Sequence, residues 1–306
     1  MIKRRTVLIL GAGASAPFGF PSGRKLRDDI VAGLSKEIAQ PFQLLTAAGF
    51  DAHHVVSFRD ALRRSGQPSV DVFLEYRPEF IQVGKLAMAA SLIPYEDDAK
   101  LWGGDDNWYE HLWKHLGPSL MDDVAQSQLS VITFNYDRSL EHFIFSALRN
   151  AYNIDTDDAA RYLREVIRIV HVHGTLGELP FADAGRGISR AYHPGDPSNL
   201  KDAAVAAAKT IKIVHEGARD DAEFVQARQL LTQAQMVCFL GFGYLKANVE
   251  RLEIVNLSQN VSLYGTAYLL MDGERAAASG LINNRVNLGS PNLGALAFLR
   301  QTGLLI

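Results

Sequence analysis

Five short runs, Thr6 to Leu10, Ser130 to Phe134, Val166 to Val172, Met236 to Phe242 and Ala267 to Met271, are rich in Val, Ile and Leu and mostly lack alternation of polar and apolar residues. A strand with one wet face alternates; a strand covered on both faces does not, so these runs call for a sheet sandwiched between two layers. The segments between them are long enough for helices. The chain therefore reads as βαβ units building a Rossmann-like parallel sheet, an α/β fold.

Two stretches interrupt that core. From Gly23 to Gln128 the pattern is mainly helical, for example Arg24 to Glu37 and Val70 to Leu92, with breaks near Ser65 to Pro68 and Trp102 to Asp106. This is too much chain for one crossover and predicts an inserted helical subdomain over the strand ends. Trp102, Trp108 and Trp113 read as its packing anchors. The second stretch, Gly177 to Asn199, holds Pro180, Gly185, Gly187, Pro194, Gly195 and Pro197 and reads as a long loop or lid. Asn292 to Ile306 reads as a closing helix and tail, so residues 1–306 are expected to form a single domain.

Composition narrows the class. A net charge of -3 gives no footprint for nucleic acid. Cys238 is the only cysteine, which excludes a disulfide framework and a cysteine-built zinc site and suits a reducing cytoplasm. The nine histidines show no ligand spacing with carboxylates, so no metal is expected. No secretory signal and no membrane span is recognisable.

Chemistry-bearing residues fall where these strands end, which in an open α/β sheet is where ligands bind. Gly11-Ala12-Gly13-Ala14-Ser15 follows the first strand and, with Ala16, fits a loose G-x-G-x-x-[G/A] pattern in which backbone amides can approach a pyrophosphate; a tight turn that binds nothing fits it too. The acidic residue that would end a second dinucleotide-binding strand is not recognisable, which disfavours an ordinary nicotinamide dehydrogenase. Asn135 and Asp137, in Thr133-Phe134-Asn135-Tyr136-Asp137, either contact ligand or satisfy loop backbone. His173, before Gly174, is placed to accept a proton near neutral pH, and His171 shares its side-chain direction, so one of the two can be a packed core histidine. Gly241-Phe242-Gly243-Tyr244 adds another glycine turn at the same edge. Asp71-Val72-Phe73-Leu74-Glu75 reads as a packed helix face with solvated acids.

In this order the motifs resemble the sirtuin superfamily, specifically the bacterial SIR2-like NADase domains of antiphage defence systems. The match is carried by Gly11 to Ser15 with Gly19-Phe20-Pro21, by Thr133 to Asp137, by His173-Gly174 and by Gly241-Phe242-Gly243; Asp71-Val72-Phe73-Leu74 and Gly84-Lys85-Leu86-Ala87 also look like this branch. Deacylating sirtuins carry a four-cysteine zinc module after the histidine-glycine pair, and here that stretch is the cysteine-free loop Gly177 to Asn199. They also have glutamine where this chain has Phe134.

The resemblance implies a sirtuin-type core without the zinc module, and NAD+ as substrate. The dinucleotide would lie along Gly11, Ala12, Gly13, Ser15, Phe18, Pro21, Asn135, Gly241, Gly243 and Tyr244. Asn135 would orient the attacking water and the ribose hydroxyls, His173 would serve as general base or ribose contact, and Asp137 would orient the loop or the ribose. Products would be nicotinamide and ADP-ribose. A cell needs such an enzyme restrained, which implies a homo-oligomer switched on by a separate partner such as a HerA-like ATPase, an Argonaute-type protein or a phage component. The same pocket would serve an NAD-dependent deacylase, an ADP-ribosyltransferase or a non-catalytic NAD or ADP-ribose-binding subunit.

Overall fold

The structure is a computed structural model that describes residues 2, 4–116, 128–182, 189–196, 198–213 and 221–305. Its core is a six-stranded, wholly parallel sheet in the order β3-β2-β1-β4-β5-β6. The strands are β1 (Thr6–Leu10), β2 (Leu129–Thr133), β3 (Arg168–His171), β4 (Met236–Leu240), β5 (Ser262–Gly265) and β6 (Val286–Leu288). The order reverses at β1, which pairs β2 on one side and β4 on the other in matching register, Leu10 facing both Thr133 and Leu240. All three of these strand ends therefore open on one edge.

The uninterrupted apolar runs are explained by cover on both faces. Leu8, Leu10, Val131, Cys238 and Leu240 join one core with the helical insertion, while Val7, Ile9, Ile132, Val237 and Phe239 join another on the opposite face. That second core is closed by α11 (Ala222–Gln233), α12 (Lys246–Arg251) and α13 (Asp272–Leu281).

Two sequence expectations are corrected in the second half of the sheet. Ala267 to Met271 is not a strand. Tyr268, Leu269 and Met271 are exposed and Leu269 has a left-handed φ of 61°, so this segment turns the chain outward. The sheet is continued by Ser262–Gly265 and Val286–Leu288, which are short and mixed with Ser, Tyr, Gly and Asn, and so lack the apolar signature. The other runs are trimmed: Val166 ends a helix, and β4 stops at Gly241, whose left-handed φ of 57° breaks the extended line.

The first insertion is helical over its described part: α2 (Gly23–Gly33), α3 (Gln40–Ala47), α4 (Ala52–Arg64), α5 (Val70–Tyr76), α6 (Ile81–Leu92) and α7 (Trp108–Leu116). Ser22 and Asp51 start α2 and α4 by accepting the backbone N–H of Lys25 and His54. The helix expected over Val70 to Leu92 is two helices, because Pro78 cannot donate to the preceding turn and Arg77 before it is forced from helical geometry, with ψ at 69°. α6 is buried on most sides and is the hub of the insertion, as its Val83, Leu86, Ala87, Met88 and Ala89 show. Residues 117–127 of this insertion lie outside the described residues.

The second insertion is described at residues 177–182, 189–196 and 198–199; Gly185, Gly187 and Pro197 fall outside. Arg138, which is 2% exposed, ties it to the first. Its guanidinium donates to both carboxylate oxygens of the buried Glu96, at 2.9 and 2.6 Å, and to the backbone oxygens of Glu178, Arg190 and Ala191. Arg190 reaches the same Glu96 carboxylate.

Candidate functional site

A cavity of about 330 Å³ opens where β1, β2 and β4 end. Its wall includes Gly11, Ala12, Gly13 and Ser15 from the β1 turn, Phe134, Asn135, Tyr136 and Asp137 from the β2 turn, and Gly241, Phe242 and Gly243 from the β4 turn. Phe20 and Pro21, between the β1 turn and the insertion, also line it, and the insertion itself contributes Arg24 and Asp71 among others. The reversal of strand order at β1 creates this crevice, since the connections on its two sides diverge.

The glycines here are required by backbone proximity. A Cβ on Gly11 would lie 2.6 Å from the Gly241 oxygen, and one on Gly13 would lie 2.8 Å from the Gly241 Cα. Gly11 N–H donates to Leu240 O and Gly13 N–H donates to Gly241 O, each at 3.0 Å. The Gly13 amide thus joins two turns of the protein, while Gly13 itself lies on the cavity wall.

A polar network crosses the cavity floor. Ser15 Oγ donates to Asp137 Oδ2 at 2.8 Å, and Asn135 Nδ2 donates to both Ser15 Oγ and Gly11 O at 3.0 Å. Asp137 Oδ1 accepts from the Ser139 N–H at 3.2 Å and from the Ser139 hydroxyl, which also bonds Tyr109. Burial raises the Asp137 carboxyl above its ordinary pKa, and the hydroxyls of Ser139 and Ser15 oppose that rise. Asn135 has its N–H groups occupied, so the open chemistry of its side chain is that of the Oδ1 acceptor.

The two histidines separate into different roles. His171 Nδ1 lies 3.0 Å from the Asn135 backbone oxygen, and its Nε2 pairs with Glu141. Burial opposes charge on both partners, yet their mutual attraction and hydrogen bond prevail, leaving His171 raised and Glu141 lowered. His171 thus holds the backbone at Asn135. His173 is 2% exposed, makes ring contacts with Phe134, Tyr136 and Phe224, and is not on the cavity wall. Both its ring nitrogens lack hydrogen-bond partners among the described residues. Burial lowers its pKa, with Asp71 opposing and Arg251 reinforcing.

Two further expected contacts lie off the wall. Phe18 is buried and stacks on Tyr109 with centroids 3.9 Å apart. Tyr244 is buried with its hydroxyl donating to Thr266 O at 3.1 Å. Asp71 and Glu75, taken from the sequence for solvated acids on a packed helix face, part ways in the structure. Asp71 lines the cavity, and Glu75 forms a two-pronged bond with Arg251 of α12 at 3.1 and 3.0 Å. Their spacing of four residues on α5 was the available signal: such a pair shares one helix face, here turned to the core.

Among the described residues, no group of three or more His, Cys, Asp or Glu side chains is arranged to hold a metal ion, and no helix is long and apolar enough to cross a membrane. A scan against protein-family models finds no match, and a search of the curated proteins finds none either.

Proposed function

We propose that this chain is an NAD+ hydrolase that cleaves the nicotinamide-ribose bond to give nicotinamide and ADP-ribose. The observation that carries the reading is the Asn135-Ser15-Asp137 network on the floor of a cavity built from three adjacent strand ends. The ordered resemblance to SIR2-like NADase domains supports it. In this reading the dinucleotide lies across the β1 and β4 turns with its nicotinamide ribose at Asn135. Nicotinamide leaves as a neutral ring from a cationic ground state, so no acid has to protonate it. The protein's tasks are to hold the ribose, limit water and stabilise positive charge at the anomeric carbon.

Asn135 Oδ1 is the acceptor for a ribose hydroxyl or the attacking water. Asp137, whose oxygens are occupied by Ser15 and Ser139, acts by positioning Ser15 and through it Asn135. His173 is the general base once its ring gains access to the cavity. Restraint comes from assembly into a homo-oligomer and from a partner such as a HerA-like ATPase, an Argonaute-type protein or a phage component, which would make the chain an NAD-depleting effector of antiphage defence.

One observation favours a second reading, a subunit that binds NAD+ or ADP-ribose without turnover: the expected base, His173, does not line the cavity. Incubating purified protein with NAD+, alone and with an acetylated peptide, separates these readings. Hydrolysis yields equal nicotinamide and ADP-ribose without peptide, and Asn135→Ala and His173→Ala each reduce the rate by about 10² to 10⁴. Near wild-type turnover in both variants, with normal melting, would overturn the assignment; tight NAD+ binding without nicotinamide release would establish the binding subunit.

A further inference from the structure

We propose that Asp71 makes the cavity select the oxidised, cationic pyridinium ring of a nicotinamide dinucleotide over the neutral reduced ring, a proposal that rests on reading the cavity as an NAD+ site. Among the described residues of the wall, the charged side chains are Arg24, Asp71 and Asp137. Asp137 already accepts from Ser15 and Ser139. Asp71 lies on the wall with its charge also acting on the His173 ring, and no hydrogen bond among the described residues ends on its carboxylate, so it is the negative charge open to a ligand. Arg24 supplies the positive counterpart, and a dinucleotide carries both signs, anionic at the pyrophosphate and cationic at the oxidised ring.

The surroundings suit a planar cation. Phe134, Tyr136 and Phe242 contribute to the same wall, Phe134 and Phe242 meeting edge-on with centroids 5.2 Å apart. Aromatic faces attract cations and exclude water, which strengthens the attraction of a nearby carboxylate. The Tyr136 hydroxyl is buried without a partner among the described residues, a polar atom on this wall available to the ring's carboxamide. The helix that carries Asp71 is anchored, because Glu75 one turn along α5 is clamped to Arg251. Oxidised and reduced dinucleotides differ at the ring by one hydride and so by one unit of charge, and the change in their affinity ratio on Asp71→Asn reports the effect of the Asp71 charge. Since that charge is present in the ground state and again, at the anomeric carbon, during cleavage, removing the carboxylate raises KM more than it lowers kcat.

The test measures binding by calorimetry, using carba-NAD+, whose ring is cationic but whose bond to the sugar resists cleavage, and NADH. Wild type is expected to favour carba-NAD+ about tenfold or more, Asp71→Asn to bring the ratio within about threefold of unity, and Asp71→Glu to keep the preference. A ratio near one in wild type, or an unchanged ratio in a normally melting Asp71→Asn, overturns the role of Asp71 while leaving NAD+ hydrolysis intact. Binding of neither dinucleotide defeats the NAD+ reading of the cavity and this inference with it.

Discussion

Gly241→Ala tests whether the glycines at the strand ends serve the protein's own backbone. An alanine there must hold the left-handed φ of 57°, at about 1–2 kcal/mol. Its Cβ would lie 2.6 Å from the Gly13 Cα and closer still to the Ala14 nitrogen, both backbone atoms that cannot rotate away. Separating the turns adds about 1–3 kcal/mol of overpacking strain. It also loosens the Gly13 N–H to Gly241 O bond, 3.0 Å long, worth about 1 kcal/mol. Together these give a loss of about 3–6 kcal/mol, a large share of the ~5–15 kcal/mol that stabilises an ordinary domain. Trp108 is a built-in reporter, since its buried indole N–H donates to Ala14 O at 2.7 Å on the same turn. Urea denaturation followed by tryptophan fluorescence should show the loss, while Gly243→Ala, whose Cβ would meet nothing within 4 Å, should change stability by less than about 1 kcal/mol. Equal, small effects of the two substitutions would refute the close-approach argument.

Further outcomes concern buried charges. His171 is raised from 6.5, so its contribution is complete below that value and is lost as pH rises through the folded pKa; Glu141 is lowered from 4.5, so its contribution is present above that value and is lost as pH falls through the folded pKa. Glu141→Gln should therefore destabilise most between pH 4.5 and 6.5, seen as a gap in unfolding free energy from wild type that narrows at alkaline pH; a gap that widens there contradicts the pairing. Arg251→Met leaves the buried Glu75 carboxylate without its clamp and should cost about 3 kcal/mol in urea titrations, with Glu75→Gln in the same background recovering part of the loss. No recovery in that double variant would show that Arg251 acts through something other than Glu75.

The parallel sheet was legible because buried apolar residues dominate β1, β2 and β4 without alternating, the mark of cover on both faces. β5 and β6 escaped notice because Ser262, Tyr264 and Asn287 dilute their pattern, while the more apolar Ala267 to Met271 attracted the strand assignment that belonged a few residues earlier. Asn135, Asp137 and the glycine turns were visible as polar or small residues directly after core strands. The burial of His173 was not: β3 ends at His171, so strand alternation does not carry to His173, which packs on Phe224 while His171 pairs with Glu141. Asp71 was missed for another reason: one helix face can be polar because it meets water or because it meets a cavity, and only the packing of α5 separates these cases.

Arg138 gives the two insertions a shared inheritance. Its donors are divided between Glu96, within one insertion, and the backbone oxygens of Glu178, Arg190 and Ala191 in the other. A loop exchanged into this scaffold from another chain would have to return three carbonyls to the same places or leave a buried guanidinium short of acceptors beside Asp137. Glu96 and Arg138 would have to travel with the loop as part of one graft. Variation in the two excursions from the sheet is therefore coupled, although they are far apart along the chain.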